Sequence, residues 1–161
     1  RYVEKLCEFY KRLGLNIVVI RPGNIYGKYD KYVNGHFIPE IIKRLVDGEN
    51  PLVVWGDGSA FRNLIYAPDL VRDVLLIMKH YNSVIPLNVA SDTNISVKDT
   101  VDLLIKISGY KGSVVFDFSK PEAIKYRGLD TTNFTNLFGI QKYTPLEEGL
   151  TATYNWIKNA R

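Results

Sequence analysis

The chain has 161 residues, of which 46% are hydrophobic and 24% charged, and carries a formal net charge of +4. That composition suits one compact domain and excludes a disordered segment; the basic residues are spread out, which weighs against nucleic-acid binding but lets a few converge on a phosphorylated small molecule. One cysteine and two histidines exclude a disulfide framework and argue against a zinc site, and no apolar run reaches the roughly 18 residues of a membrane span, so a cytoplasmic chain is expected.

Val3, Leu6, Cys7 and Tyr10 recur at helical spacing and Gly14 ends the pattern, which predicts a helix over 1–13 with Cys7 as a packing residue. The β-branched run 16–20 reads as a buried strand, broken by Pro22 and Gly23 ahead of a long polar loop from Asn24 to Gly35. Pro39 fits the first turn of a helix carrying Ile41, Ile42, Leu45 and Val46. Strands are expected at 51–55 and 62–66, on either side of a Gly56-Asp-Gly58 turn. Leu70, Val71, Val74, Leu75 and Met78 predict a third helix packed through those side chains. A strand at 86–90 follows, then a helix opened by Ser96 with Asp99 three residues on. A strand at 114–118, a short helix at 132–138 and a last helix opened at Thr144 complete an alternation of the α/β class.

The chemistry concentrates after the strand that ends in Arg21-Pro-Gly-Asn-Ile-Tyr-Gly27, because open α/β sheets bind ligands at the carboxyl ends of their strands. Beside turns stand His36, able to transfer protons, Trp55, able to contact a base, and Arg62, whose planar fork suits phosphate oxygens. No glycine-rich phosphate loop, hydrolytic triad or metal-ligand cluster is present in the sequence.

The stretch 21–27, together with Val54-Trp-Gly-Asp-Gly-Ser59, Phe61-Arg-Asn-Leu-Ile-Tyr66 and Asp69-Leu70, resembles the extended short-chain dehydrogenase/reductases, the nucleotide-sugar epimerases and dehydratases. Within them, three stretches resemble the GDP-L-fucose synthase branch. These are Gly35-His-Phe-Ile-Pro39 with Arg44, Gly109 to Asp117 with Ser119-Lys-Pro121, and Leu146-Glu-Glu-Gly-Leu150 with Tyr154 and Trp156. The resemblance implies the carboxyl-terminal part of a doubly wound Rossmann-type sheet plus a small α/β substrate-binding lobe. It implies that residues 1–161 are one half of a longer enzyme, inactive alone, whose NADP-binding loop, catalytic tyrosine and lysine lie in an amino-terminal half outside the chain.

The cofactor implied is NADP rather than NAD, the substrate a nucleotide-sugar, most simply a GDP-sugar, and the intact enzyme a homodimer. His36 matches the general acid of epimerisation, whose partner base is a cysteine of the missing half and not Cys7. Asn24, Arg44 and Arg62 match substrate contacts, and Pro22 and Gly23 the approach to the nicotinamide; Trp55 either holds the nucleotide-sugar or caps the core at the end of its strand, and Arg127 is a substrate contact able to pair with a phosphate. Where the family often has Lys-Pro-Asp-Gly the chain has Lys120-Pro-Glu-Ala123, and Arg127 stands near an expected lysine, which leaves the nucleotide and sugar open. Two rival readings are another epimerase or dehydratase of the family, and a non-catalytic dinucleotide-sensing or RNA-associated member.

Overall fold

The computed structural model describes residues 1–30, 36–120 and 124–160; Gly35, the Pro-Glu-Ala of 121–123 and Arg161 lie outside them. Three groups of strands organise the molecule. β1 (Ile20–Pro22) pairs in parallel with β5 (Leu87–Val89), Ile20 opposite Leu87. β4 (Phe61–Tyr66) is the hub of a second group. Its later half pairs in parallel with β2 (Asn24–Tyr26), and Phe61 and Arg62 pair in parallel with β8 (Tyr126–Arg127). β6 (Asn94–Ser96) runs antiparallel to β4. β3 (Leu52–Trp55) and β7 (Val114–Asp117) form a third, parallel pair. The helices are α1 (Tyr2–Arg12), α2 (Phe37–Val46), α3 (Ala67–His80), α4 (Val97–Ser108), α5 (Thr132–Phe138) and α6 (Leu146–Asn159).

Two cores follow from this layout. One gathers α2, α4 and α6 around Ile42, Leu52, Val101, Leu104 and Leu150; the other gathers Ile65, Leu70, Ile77, Leu87, Val89 and Phe134 beside the β1–β5 pair. Leu64 belongs to the first and Ile65 to the second, because successive side chains of a strand point to opposite faces. β4 therefore joins a Rossmann-type sheet to a smaller α/β lobe. In α2 the buried face is Ile38, Pro39, Ile41, Ile42 and Leu45. Burying each large apolar side chain contributes about 1.5–3 kcal/mol, which anchors the helix well beyond its intrinsic propensity. α6 passes over β2 at Gly149, where a Cβ would come 2.3 Å from the Tyr26 hydroxyl oxygen; a glycine inside the helix is the cost of that approach.

Several expectations need correction. The strand expected at 16–20 is paired only from Ile20 onward, and the chain continues past Pro22 and Gly23 into β2 instead of opening a loop at Asn24. A proline at the end of β1 costs no ladder bond there, since the Gly23 N–H makes the link, donating to the Val89 carbonyl at 2.9 Å. β6 and β8 carry only three and two residues, too few for a periodic signal.

The third helix turns only part of its expected apolar face inward: Leu70 and Val74 pack against the second core. Asp69, Leu70, Asp73 and Ile77 are buried, whereas Val71, Leu75 and Met78 are exposed. Arg72 makes this possible by donating to Asp69 Oδ1 at 3.0 Å and to Asp73 Oδ1 at 3.0 and 3.1 Å. Asp69 Oδ2 also accepts the Thr144 N–H at 2.8 Å, so Asp69 is bonded through both oxygens and clasps the segment ahead of α6, whereas Asp73 Oδ2 is buried without a hydrogen-bond partner. The cap of α6 is Pro145, not Thr144. Cys7 is half-buried on a helix with no fully buried residue, so it packs less deeply than its spacing indicated.

Candidate functional site

A cleft of about 400 Å³ opens where β2 starts, β8 joins β4 and α2 begins. It is lined by Gly23, Asn24, His36, Arg62 and Arg127, with Ile25, Phe37, Ile38, Pro39 and Leu64 as its apolar walls. Five of the residues singled out from sequence thus line one place, four of them through side chains on β2, β4, β8 and the start of α2. A second hollow of about 380 Å³ continues from it past Pro22, Gly23, Asn24 and Arg127 to Asn63, Tyr126 and Gly128.

The two arginines define the electrostatics. Arg62 and Arg127 sit opposite each other on the parallel strands β4 and β8. Arg62 Nη1 donates to its neighbour Phe61 O at 2.7 Å and to Ile124 O at 2.9 Å, which fixes the guanidinium plane. Among the described residues neither guanidinium meets a carboxylate, and burial together with the nearby Arg127 charge pulls the Arg62 pKa down. Two like charges in register, one partly desolvated, thus meet no carboxylate among the described residues, an arrangement that favours an anion between them. The first turn of α2 adds to the same field, since the N–H groups of Phe37 and Ile38 have no partner inside the helix.

His36 is the N-cap of α2 without capping through its side chain. Its Nδ1 lies 3.2 Å from Asp30 Oδ1 and the imidazole is largely exposed to the cleft. Asp30 is a partner that sequence reasoning missed; it lies six residues away in a segment without periodicity, so no spacing rule marked it. Asn63 was missed as well. It is buried, its Nδ2 donates to Ser91 O at 2.8 Å, and its Oδ1 has no hydrogen-bond partner.

Trp55 stands at the end of β3, 68% exposed, so it caps no core. Its ring has the Lys120 ammonium 5.8 Å from its centre and borders a small hollow shared with Arg62 and the turn 56–60. Beside it the Asp57 carboxylate is held below its ordinary range by the Ser59 hydroxyl and N–H. Arg44 is not brought to the cleft. It lies in the last turn of α2, with Nε and Nη2 donating to the two oxygens of Glu49 at 2.7 and 2.5 Å. The pairing raises the Arg44 pKa and lowers that of Glu49.

The corner at Pro22 and Gly23 offers no free backbone donor, since proline has no N–H and that of Gly23 is spent on Val89 O. Among the described residues no three side chains gather as metal ligands, and no helix is long and apolar enough to cross a membrane.

Residues 1–90 match the family model described as the NAD dependent epimerase/dehydratase family. A probable GDP-L-fucose synthase 1 of Oryza sativa subsp. japonica is 31% identical over 159 residues, 94% of this chain and 48% of that protein. Among solved structures, a GDP-L-fucose synthetase from Naegleria fowleri bound to NADP superposes with a TM-score of 0.88 at 25% identity, covering 97% of this chain and 53% of that one. A UDP-glucuronic acid 4-epimerase from Bacillus cereus, in complex with UDP-glucuronic acid and NAD, gives 0.85 at 27% identity, over 98% of this chain and 50% of that one. The chain spans about half the length of the relatives it matches.

Proposed function

The chain belongs to the NAD dependent epimerase/dehydratase family, and from that premise we propose that it forms the substrate-binding half of a nucleotide-sugar epimerase/reductase. The reaction we assign is epimerisation and reduction of GDP-4-keto-6-deoxymannose to GDP-L-fucose, the product that the name of the Oryza sativa relative gives. One observation carries the reading. Arg62 and Arg127 stand paired across adjacent strands, without a carboxylate partner among the described residues, in the same cleft as His36 and Asn24. Bidentate arginines are suited to the diphosphate of a nucleotide-sugar, and the cleft volume of about 400 Å³ suits a hexose between them and His36.

In this reading Arg62 and Arg127 clamp the diphosphate, Asn24 binds a sugar hydroxyl, and the exposed Trp55 ring takes the base. Arg44 serves the nucleotide only if the substrate displaces Glu49 or uses the remaining Nη1, so its present role is to tie α2 to the turn that follows. His36 returns a proton to the carbon beside the ketone after a base on the opposite face has removed one, which inverts that centre. NADPH, when bound, supplies the hydride that reduces the ketone, and Pro22 and Gly23 would face its nicotinamide. The tyrosine and lysine of the hydride step, the partner base and the phosphate-cradling loop belong to a further amino-terminal half, and the intact enzyme is a homodimer.

The test is His36→Asn in the enzyme that includes that half, with the product followed by proton NMR in heavy water. Removing a positioned general acid costs roughly a hundred- to ten-thousand-fold in the step it serves. Solvent deuterium should therefore enter the epimerised carbon more slowly, and uninverted reduced sugar should accumulate. Formation of the inverted product at the parental rate would reject the assignment. A second reading, an epimerase of UDP-sugars, is supported by the similarity to the Bacillus cereus enzyme and by Lys120-Pro-Glu-Ala123 in place of the more usual loop. Binding of a panel of GDP- and UDP-sugars separates the two.

A further inference from the structure

We propose that Asp30 is the positioning residue for His36, and that Tyr29 and Trp156 brace the segment that holds it. The inference rests on the reading of His36 as the general acid. Asp30 Oδ1 lies 3.2 Å from His36 Nδ1, with the carboxylate only 18% exposed against 64% for the imidazole. A carboxylate accepts but does not donate, so it selects a proton on Nδ1 and leaves Nε2 as the nitrogen that exchanges protons with the cleft. When His36 gives up the Nε2 proton, the neutral ring left behind is the Nδ1–H tautomer that Asp30 favours.

The second observation concerns how Asp30 is held. Tyr29, immediately before it, has φ 68°, and among the described residues it is the one non-glycine residue with a positive φ. Backbone held in the left-handed region persists where surrounding contacts over-determine it, and such sites cluster at functional positions. The contact here is the Tyr29 ring against Trp156, centroids 5.0 Å apart at 56°. Trp156 rides on α6, whose Leu150, Thr153, Tyr154 and Ile157 are buried, so the brace is anchored to a rigid element of the core. The tyrosine itself is 78% exposed, so its position is not explained by burial. A tryptophan ten residues from the start of α6 is thereby linked, through Tyr29 and Asp30, to the ring that faces the cleft.

The tautomer of His36 reads this directly and independently of turnover. The full chain, labelled with 15N-histidine, contains two histidines, and His80, at the end of α3, serves as the internal reference. At a pH where both rings are neutral, His36 should report the Nδ1–H form while His80 reports the Nε2–H form that free imidazole prefers. Asp30→Ala should move His36 to the Nε2–H form. Asp30→Asn should keep it, because an amide oxygen can still accept from Nδ1–H. Trp156→Leu should move it part of the way, with His80 unchanged throughout. The parental spectrum alone decides if a variant fails to fold: an Nε2–H form of His36 overturns the proposal, as does an unaltered tautomer in Asp30→Ala. In the whole enzyme, Asp30→Ala should lower kcat about tenfold or more with KM little changed, part of the factor a positioned acid supplies. The expected tautomers combined with a fully active His36→Asn enzyme would reject the acid role and leave only the orientation.

Discussion

Gly23→Ala is the perturbation whose cost can be worked most fully from the structure. An ideal Cβ at Gly23 would lie 2.5 Å from Asn63 Oδ1, 3.3 Å from the Asn63 carbonyl oxygen and 3.4 Å from Ala90 Cβ. The backbone is not the obstacle, since Gly23 is not among the glycines with positive φ; the obstacle is a short, fixed side chain. Asn63 is 2% exposed and its Nδ2 is committed to Ser91 O at 2.8 Å, so its amide cannot swing away without breaking that bond. Overpacking of this kind costs about 1–3 kcal/mol, which lowers the melting temperature of a domain of this size by roughly 2–12 °C. Asn63→Ala removes the obstacle but leaves Ser91 O without its donor, at about 1–3 kcal/mol. The two changes should therefore be coupled, with the double variant about 0.5–3 kcal/mol more stable than the sum of the single losses. Urea unfolding of the four proteins followed by circular dichroism measures the coupling. Parental stability in Gly23→Ala, or strictly additive losses, would refute the argument that Asn63 dictates the glycine.

Burial, partly opposed by Arg72 and Tyr143, raises the Asp73 pKa. A carboxyl whose folded pKa is raised contributes stability below its unfolded pKa and loses it as pH rises through the folded value. The stability of Asp73→Asn relative to the parent should accordingly increase as pH rises above the ordinary carboxylate range, as read by urea unfolding at a series of pH values; a constant difference would contradict it. At the start of α4, Ser96 Oγ accepts from the Asp99 N–H at 2.9 Å and donates to the Asp99 carboxylate at 2.5 Å. Ser96→Ala should cost about 1 kcal/mol, a fall of roughly 2–4 °C in thermal unfolding.

Elements with strong local signals were legible in the sequence: the apolar stripe of α2, the cap of α4 at Ser96, and the glycine ending α5 at Gly139. The illegible parts depend on partners distant in sequence. α3 reads as an apolar helix because Val71, Leu75 and Met78 repeat at helical spacing, yet its inward face carries two aspartates held by Arg72, by Tyr143 and by the Thr144 N–H. The strands β6 and β8 exist because β4 offers them an edge, not because their own residues are periodic. In the site, Arg62 was identified by residue type beside a turn and Arg127 through the family resemblance, but their registration on adjacent strands is a product of topology. Asp30, Asn63 and the Tyr29–Trp156 contact had no signal in the sequence, since each is defined by a meeting rather than a motif. Arg44 gave a signal that the fold answers with Glu49.

The central claim is that Arg62 and Arg127 form a diphosphate clamp for a nucleotide-sugar on a half that does not itself hold the dinucleotide. Calorimetric titration of the chain with GDP and with NADPH tests it most directly. Each charge-assisted contact to phosphate contributes about 1.5–3 kcal/mol, so Arg62→Ala and Arg127→Ala should each weaken GDP binding roughly 10- to 150-fold, and NADPH should give no heat of binding. Tight binding of NADPH by the chain, or GDP binding indifferent to both arginine substitutions, would contradict the account.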